Sequence, residues 1–400
     1  MCRRSAKAIR FATHLLVLGI SILFFTTVTT AGGYPLKVVG VRHTLVLMSD
    51  GSAVGWGVCD SGELGPIVSI PANRNSSTTA VAIRLPRKAI DIAAGENSSF
   101  ALLDDGTVVS WGSNFSSMLG IGNAGTSVLL PNGKNGSEKP LKVGGLSDVI
   151  RIAANGKIAM ALRRDGTVYG WGSDLNGRFG DGKSPAPITG LRGITQLSVS
   201  STHVMFLDTA GHVWTWGGSF YGANGRSTDP DGVGMVPGLT NVISIAAGLG
   251  VSTVVKADGS VWVWGSNFQG QFGDGNRTAA PVSGGLYNQI QIVPQQIPGV
   301  RNVLSVTSGT AGRHTLALLK DGSLRGWGNT DWGQLGGGLS GTFQESPMTP
   351  KITGVKAVFA VQNNSYAIKS DNSFWIWGNG ERDGYPLGAR TKLPAPLVLP

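Results

Sequence analysis

A Trp-Gly pair recurs seven times along the chain, at Trp56, Trp111, Trp171, Trp216, Trp264, Trp327 and Trp377. The spacing runs from 45 to 63 residues, a period that belongs to repeat architectures and constrains the fold before any local reading. Six residues before each Trp stands the first residue of a turn: Asp50-Gly51, Asp105-Gly106, Asp165-Gly166, Ala210-Gly211, Asp258-Gly259, Asp321-Gly322 and Asp371-Asn372. That offset never varies. Asp-Gly supplies the positive φ angles of a tight two-residue hairpin turn, and Asn372 tolerates the left-handed region almost as well as Gly.

Upstream of each hairpin lies a short apolar strand rich in small residues, such as Ile92-Ala93-Ala94, Ile152-Ala153-Ala154 and Ile245-Ala246-Ala247. Small side chains suit the crowded inner strand of a blade near a central axis. Proline-containing segments at Pro140, Pro187, Pro294 and Pro350 signal a fourth strand per repeat. Val261-Trp262-Val263-Trp264 and Phe374-Trp375-Ile376-Trp377 alternate with period two and are apolar on both faces, as a sheet packed between two others must be. The expected fold is all-β: a seven-bladed β-propeller of four-stranded blades, a radial arrangement that hides sheet faces and protects edges. The chain ends in a Pro-containing strand and begins with Leu36-Lys37-Val38-Val39, so the ring is expected to close by pairing of the C-terminal strand with the N-terminal blade.

Composition sharpens this. Glycine accounts for 61 of 400 residues, about twice the usual share, as frequent turns require. Arg3, Arg4, Lys7 and Arg10 precede an apolar run over residues 15–25, and small residues Thr29, Thr30 and Ala31 follow. This is the three-part pattern of a secretory signal peptide cleaved after Ala31, and the run is short for a spanning helix. Residues 1–31 are expected to be a signal peptide, or alternatively an N-terminal membrane anchor, ahead of a propeller over residues 34–400. The protein is expected to be secreted or extracytoplasmic. Without the four basic residues of that segment the formal charge falls from +10 to +6, spread over a long surface. That gives no strong signal for nucleic acid. Cys59 has no intrachain partner once Cys2 is removed, so packing rather than disulfides must hold the fold.

The repeat resembles that of the regulator of chromosome condensation family. Its fullest expression here is Gly312-Arg313-His314-Thr315-Leu316-Ala317-Leu318-Leu319, Asp321-Gly322, Trp327-Gly328-Asn329 and Gly333-Gln334-Leu335-Gly336. Gly265-Ser266-Asn267 through Gly270-Gln271-Phe272-Gly273 is nearly as full, and the resemblance covers about residues 36–400. It implies the seven-bladed propeller. The family's namesake is a nucleotide exchange factor for the small GTPase Ran bound to chromatin, whereas this chain has an export signal and no basic tail. The family also includes exported bacterial propellers, one of which inhibits β-lactamases through aromatic residues on loops of one face, and this chain resembles that exported bacterial type more closely.

Residues that carry chemistry are sparse. His43, His203 and His314 share one slot in the first, fourth and sixth repeats, where structural hydrogen bonding is the expected role. The sequence has no nucleophile elbow, no phosphate-cradling loop ahead of a helix and no set of oxygens sufficient for calcium. No catalytic residue, cofactor or metal is therefore expected, and an enzyme is not.

The slot four to five residues after each Trp varies while its surroundings repeat: Asp60, Phe115, Leu175, Phe220-Tyr221, Phe268, Asp331-Trp332 and Glu381-Arg382. Equivalent loops emerge on one end of a propeller, and aromatic and Arg side chains are favoured anchors of protein contacts. Tyr221, Trp332, Arg382, Asp331, Phe220, Phe268 and Phe115 form the candidate partner-binding set. Of these, Tyr221, Trp332 and Arg382 are expected to be exposed, while Phe115, Phe220 and Phe268 are expected to tuck under the neighbouring blade. Extra residues over 66–79, 121–139 and 276–291 read as longer loops. The expected function is that of a monomeric, exported, non-catalytic propeller that binds a protein through one loop face. The alternatives are guanine-nucleotide exchange on a small GTPase, as a host-directed effector, and inhibition of a secreted enzyme.

Overall fold

Each Asp-Gly turn folds as a three-residue hairpin loop. In the first repeat Gly51 N–H donates to the Met48 carbonyl at 3.0 Å and Met48 N–H to the Ser52 carbonyl at 2.9 Å, and the same pair of bonds recurs around Gly259 and Gly322. Only the Gly, or Asn372 at φ +68°, is left-handed, and the Asp is not. This corrects the two-residue reading. A type I turn followed by one αL residue uses Asp differently: its Oδ1 accepts the backbone N–H and hydroxyl of the Ser two residues on, as Asp258 does from Ser260 at 2.9 and 2.6 Å.

The computed structural model describes residues 33–66, 76–122, 129–130, 133–173, 182–217, 221–227, 232–276, 290–310, 313–338, 341–379 and 391–399. Residues 1–31, with the expected leader, and much of the three long insertions lie outside them. Among the described residues the strands form seven antiparallel four-stranded sheets, each ordered as the chain runs, with no α-helix. The first blade consists of Pro35–Gly40, His43–Met48, Ala53–Val58 and Ser76–Ile83. The seventh consists of Val355–Val361, Asn364–Lys369, Phe374–Gly378 and Thr391–Pro396. The inner strands of blades two to six are Ala89–Ala94, Val149–Asn155, Ile194–Val199, Val242–Ala247 and Val303–Ser308.

The expected strand exchange at closure does not occur. Thr391–Pro396 pairs with Phe374–Gly378 of its own blade, and the first blade is complete from N-terminal residues alone. The repeat phase and the blade boundaries coincide, so no strand is left over to lend. The ring instead closes by side-chain packing: Val38, Val46, Val54 and Trp56 meet Tyr366, Phe374, Ile376, Leu397 and Leu399 in one cluster, with a Thr44–Tyr366 hydroxyl contact at 3.3 Å.

Every seam is built this way. Seven apolar clusters each straddle two neighbouring blades, and each contains one Trp of a Trp-Gly pair. Trp56, Trp111, Trp264, Trp327 and Trp377 are wholly buried, and a buried indole contributes about 4–6 kcal/mol of transfer free energy at about 25 cal/mol per Å². The Gly that follows is dictated by the backbone. Gly265 has φ +106°, and a Cβ there would lie 2.4 Å from the Gly250 carbonyl oxygen.

The inner strands surround a central channel of about 380 Å³. Their free edges are satisfied by side chains from the preceding blade, which is how a ring manages edges it cannot pair. Asp91 Oδ2 accepts from Ile152 N–H at 3.0 Å, Ser198 Oγ from Ala247 N–H at 2.9 Å and Thr307 Oγ1 from Ala360 N–H at 3.1 Å.

Candidate functional site

Up-and-down strand order within every blade sends two sets of connections to the same end of the propeller. One is the short turn between the first and second strands. The other is the loop that follows each Trp-Gly, and the Asp-Gly turns lie at the opposite end. The Trp-Gly loops have a fixed inner half and a variable outer half.

The inner half locks the seam. At five seams among the described residues the carbonyl of the residue seven after a Trp accepts the indole N–H of the next blade: Trp111 to Glu63 at 2.7 Å, Trp171 to Met118 at 2.9 Å, and Trp264, Trp327 and Trp377 to Ala223, Gln271 and Gln334 at 2.8 Å each. At three seams a serine hydroxyl donates to the same carbonyl: Ser99 to Glu63, Ser252 to Ala223 and Ser365 to Gln334. The histidines explain themselves here. His43 Nε2 meets Ser99 Oγ at 2.7 Å, His203 Nε2 meets Ser252 Oγ at 2.7 Å and His314 Nε2 meets Ser365 Oγ at 2.9 Å.

A His–Ser pair at that distance has the look of an activated nucleophile, and the proton count shows otherwise. Each serine proton is committed to a carbonyl, so the imidazole must donate its Nε2–H to Oγ, which leaves no base facing the hydroxyl. Burial pushes the pKa of His43 and of His203 down to about 3, and both rings are neutral donors at any physiological pH. Among the described residues no group of three His, Cys, Asp or Glu side chains could hold a metal ion. The charged groups lining the channel are Lys37 and Arg151, and the Lys37 ammonium is paired with the buried Asp91 carboxylate at 2.5 Å.

The outer half carries the variation. Phe115, expected to tuck under its neighbour, is 64% exposed because Ser116 and Ser117 both take left-handed φ angles, 56° and 58°, and turn the loop outward. Lys157, on the inner turn of the next blade, places its Nζ 4.9 Å from the Phe115 ring centroid. Asp331 is exposed and held by Asn329 Nδ2 at 2.8 Å. Trp332, expected to be exposed, is half-buried in a loop whose Trp332 N–H is tied to Gln334 Oε1 at 2.9 Å, and Phe268 is half-buried too. Tyr221, expected to be exposed, is half-buried against Gly250, where a Cβ would stand 2.9 Å from its ring. Phe220 and Arg382 lie outside the described residues.

Three residues that the sequence reading missed complete this rim. Arg42 donates to Asn97 Oδ1 at 2.6 Å and lies 4.0 Å from Asp60, and Lys157 covers Phe115. Arg42, Asn97 and Lys157 all sit on turns that follow inner strands. Variation at that slot was a signal available in the sequence.

A seven-bladed propeller whose seams are pinned by repeated indole and serine bonds is the class that this geometry defines. Models of the regulator of chromosome condensation repeat match residues 89–117, 149–178, 242–271 and 258–318, so the chain carries repeats of that kind. Yeast RCC1 (Prp20), solved bound to Kap60, superposes with a TM-score of 0.71 at 23% identity, covering 91% of this chain and 84% of that one. Human WBSCR16 gives 0.69 at 19% identity over 87% of this chain and 93% of its own. At such identities the likeness concerns the fold. Among curated proteins, the ultraviolet-B receptor UVR8 of Arabidopsis thaliana is 25% identical over 372 residues, 90% of this chain and 68% of the receptor. The mouse E3 ubiquitin-protein ligase HERC2 is 26% identical over 347 residues, but this chain spans only 6% of that ligase.

Proposed function

We propose that the protein is an exported, non-catalytic scaffold that binds another protein through the end of the propeller carrying the Trp-Gly loops. The observation that carries this reading is the contrast within each loop. The inner half is fixed by bonds repeated at seam after seam, while the outer half displays an exposed Phe115 under Lys157, Asp331 beside Trp332, and the Arg42–Asn97–Asp60 group. A rigid frame presenting variable aromatic and charged tips loses little entropy on association. Export is supported by the basic start, the apolar run and the small residues ahead of Gly32.

The test is an affinity measurement with Phe115→Ala, Lys157→Ala and Arg42→Ala. A central anchor should cost at least tenfold in affinity, with folding stability unchanged to about 0.5 kcal/mol because the Phe115 ring is already solvated. Undiminished binding by all three variants removes this rim from the interface.

A second reading, nucleotide exchange on a small GTPase, is favoured by the likeness to Prp20. One solved structure of that yeast protein is described together with its binding properties to Gsp1p and histones. GDP release measured from a panel of GTPases separates the readings, since a pure binder leaves the rate unaltered.

A further inference from the structure

Glu63 sits seven residues after Trp56, in the slot held by Gln271 and Gln334 in blades five and six, and it is wholly buried. All three head groups perform the same local task. Glu63 Oε2 accepts Ser61 N–H at 2.8 Å, Gln271 Oε1 accepts Gln269 N–H at 2.7 Å and Gln334 Oε1 accepts Trp332 N–H at 2.9 Å. They differ at the second atom. Gln334 Nε2 donates to Asn329, whereas Glu63 Oε1 has no hydrogen-bond partner and the position matching Asn329 is Val58. Gln271 Nε2 also lacks a partner, which a neutral amide bears at modest cost and a carboxylate does not.

The surrounding charges do not rescue the anion. On its own blade Glu63 faces Asp60, which repels it, and Arg42, which is bound to Asn97 and shared with Asp60. Cys59 lies in the same loop, and its thiol is pushed up to about 11 by burial and by the Glu63 and Asp60 carboxylates. From blade two, Glu138 packs over Gly62 beside Leu130, adding another acid. His43, linked to the Glu63 backbone carbonyl by two hydrogen bonds through Ser99, is neutral. Burial first, and Asp60 after it, push the Glu63 carboxyl up to about 7.

The same residue holds the seam. The Glu63 carbonyl accepts both the Ser99 hydroxyl and the Trp111 indole at 2.7 Å. We propose that Glu63 is a proton-operated latch on the joint between blades one and two. Protonated, it stays buried and the joint is closed; ionised, its carboxylate is drawn toward water, slackening the loop whose carbonyl anchors blade two and shifting the Arg42–Asp60 part of the rim. The sign follows from the raised folded-state pKa. The stabilising contribution is complete below the unfolded value of 4.5 and is lost as pH rises through about 7. This device stands independently of any binding partner.

Hydrogen exchange of the full chain tests it, reading a peptide over residues 106–113 against one over residues 259–266. The second seam is the internal reference, because Ala223 fills the slot there and His203, bonded to Ser252 at that seam, stays neutral between pH 6 and pH 8.5. The exchange ratio of the first peptide to the second is expected to rise at least fivefold between pH 6 and pH 8.5, with a midpoint near 7, and to stay flat in Glu63→Gln. A flat ratio in the wild-type chain, or an equal rise in Glu63→Gln, overturns the latch. The wild-type ratio alone decides the matter should the variant not fold.

Discussion

Replacing Ser252 by Ala tests the seam bonds where they are best isolated. The Ser252 hydroxyl accepts from His203 Nε2 at 2.7 Å and donates to the Ala223 carbonyl at 2.7 Å, and both side chains are wholly buried. Two buried hydrogen bonds are lost, each with a net value of about 1 kcal/mol, and the His203 Nε2–H is left without its acceptor at a further cost of about 1–2 kcal/mol. The Ala223 carbonyl keeps the Trp264 indole at 2.8 Å and adds no penalty of its own. The expected destabilisation is therefore about 3 kcal/mol. Urea unfolding followed by tryptophan fluorescence measures it, with Ser323→Ala as the control. Ser323 makes two bonds to Asp321, at 2.9 Å from its amide and 2.6 Å from its hydroxyl, but in an exposed turn, where the loss should stay below about 1 kcal/mol. A Ser252→Ala cost within about 0.5 kcal/mol of wild type, or one no larger than the control, refutes the claim that these bonds pin the ring.

Three further outcomes are expected. Because the folded pKa of His43 and of His203 is depressed from 6.5 to about 3, the stability they contribute is present above pH 6.5 and is lost as pH falls toward 3. Acid titration of unfolding free energy should show a slope of about 1.4 kcal/mol per pH unit for each histidine, flattened in the His43→Gln/His203→Gln variant. Gly265→Ala forces a Cβ against the Gly250 carbonyl at φ +106° and should cost more than about 3 kcal/mol or abolish soluble expression, whereas Gly106→Ala, with nothing within 4 Å of its Cβ, should carry only the cost of its left-handed φ, about 1 kcal/mol by thermal melting. Tyr366→Ala empties the closing seam, where the ring stacks on Phe374 at 5.8 Å and meets Trp56 at 6.1 Å, and should cost about 3–5 kcal/mol by the same melt.

The repeat was legible because its causes are local. The Gly of each Trp-Gly is demanded by a left-handed backbone, and the Trp by a seam that recurs with the sequence period. The turn type was not legible, since Asp-Gly satisfies both a two-residue turn and a three-residue loop, and only the strand register separates them. Closure was misread for a related reason: the order of strand types along the chain does not say which neighbour the last one pairs with. Whether Phe115 or Tyr221 faces water depends on the adjacent blade, on Lys157 in one case and Gly250 in the other, and a repeat read on its own cannot show that. Glu63 stayed hidden because Glu for Gln is an ordinary surface exchange until the slot is known to be buried.

The proposed binding face is the Trp-Gly loop end of the propeller. A photo-crosslinking amino acid placed at Phe115 or Asp331 on the Trp-Gly loop end, and at Asp258 or Asp321 on the turn end, tests it in the cells that make the protein. A discrete protein adduct is expected from the first two positions and none from the second two. Adducts from the turn end, with the loop end silent, would contradict it.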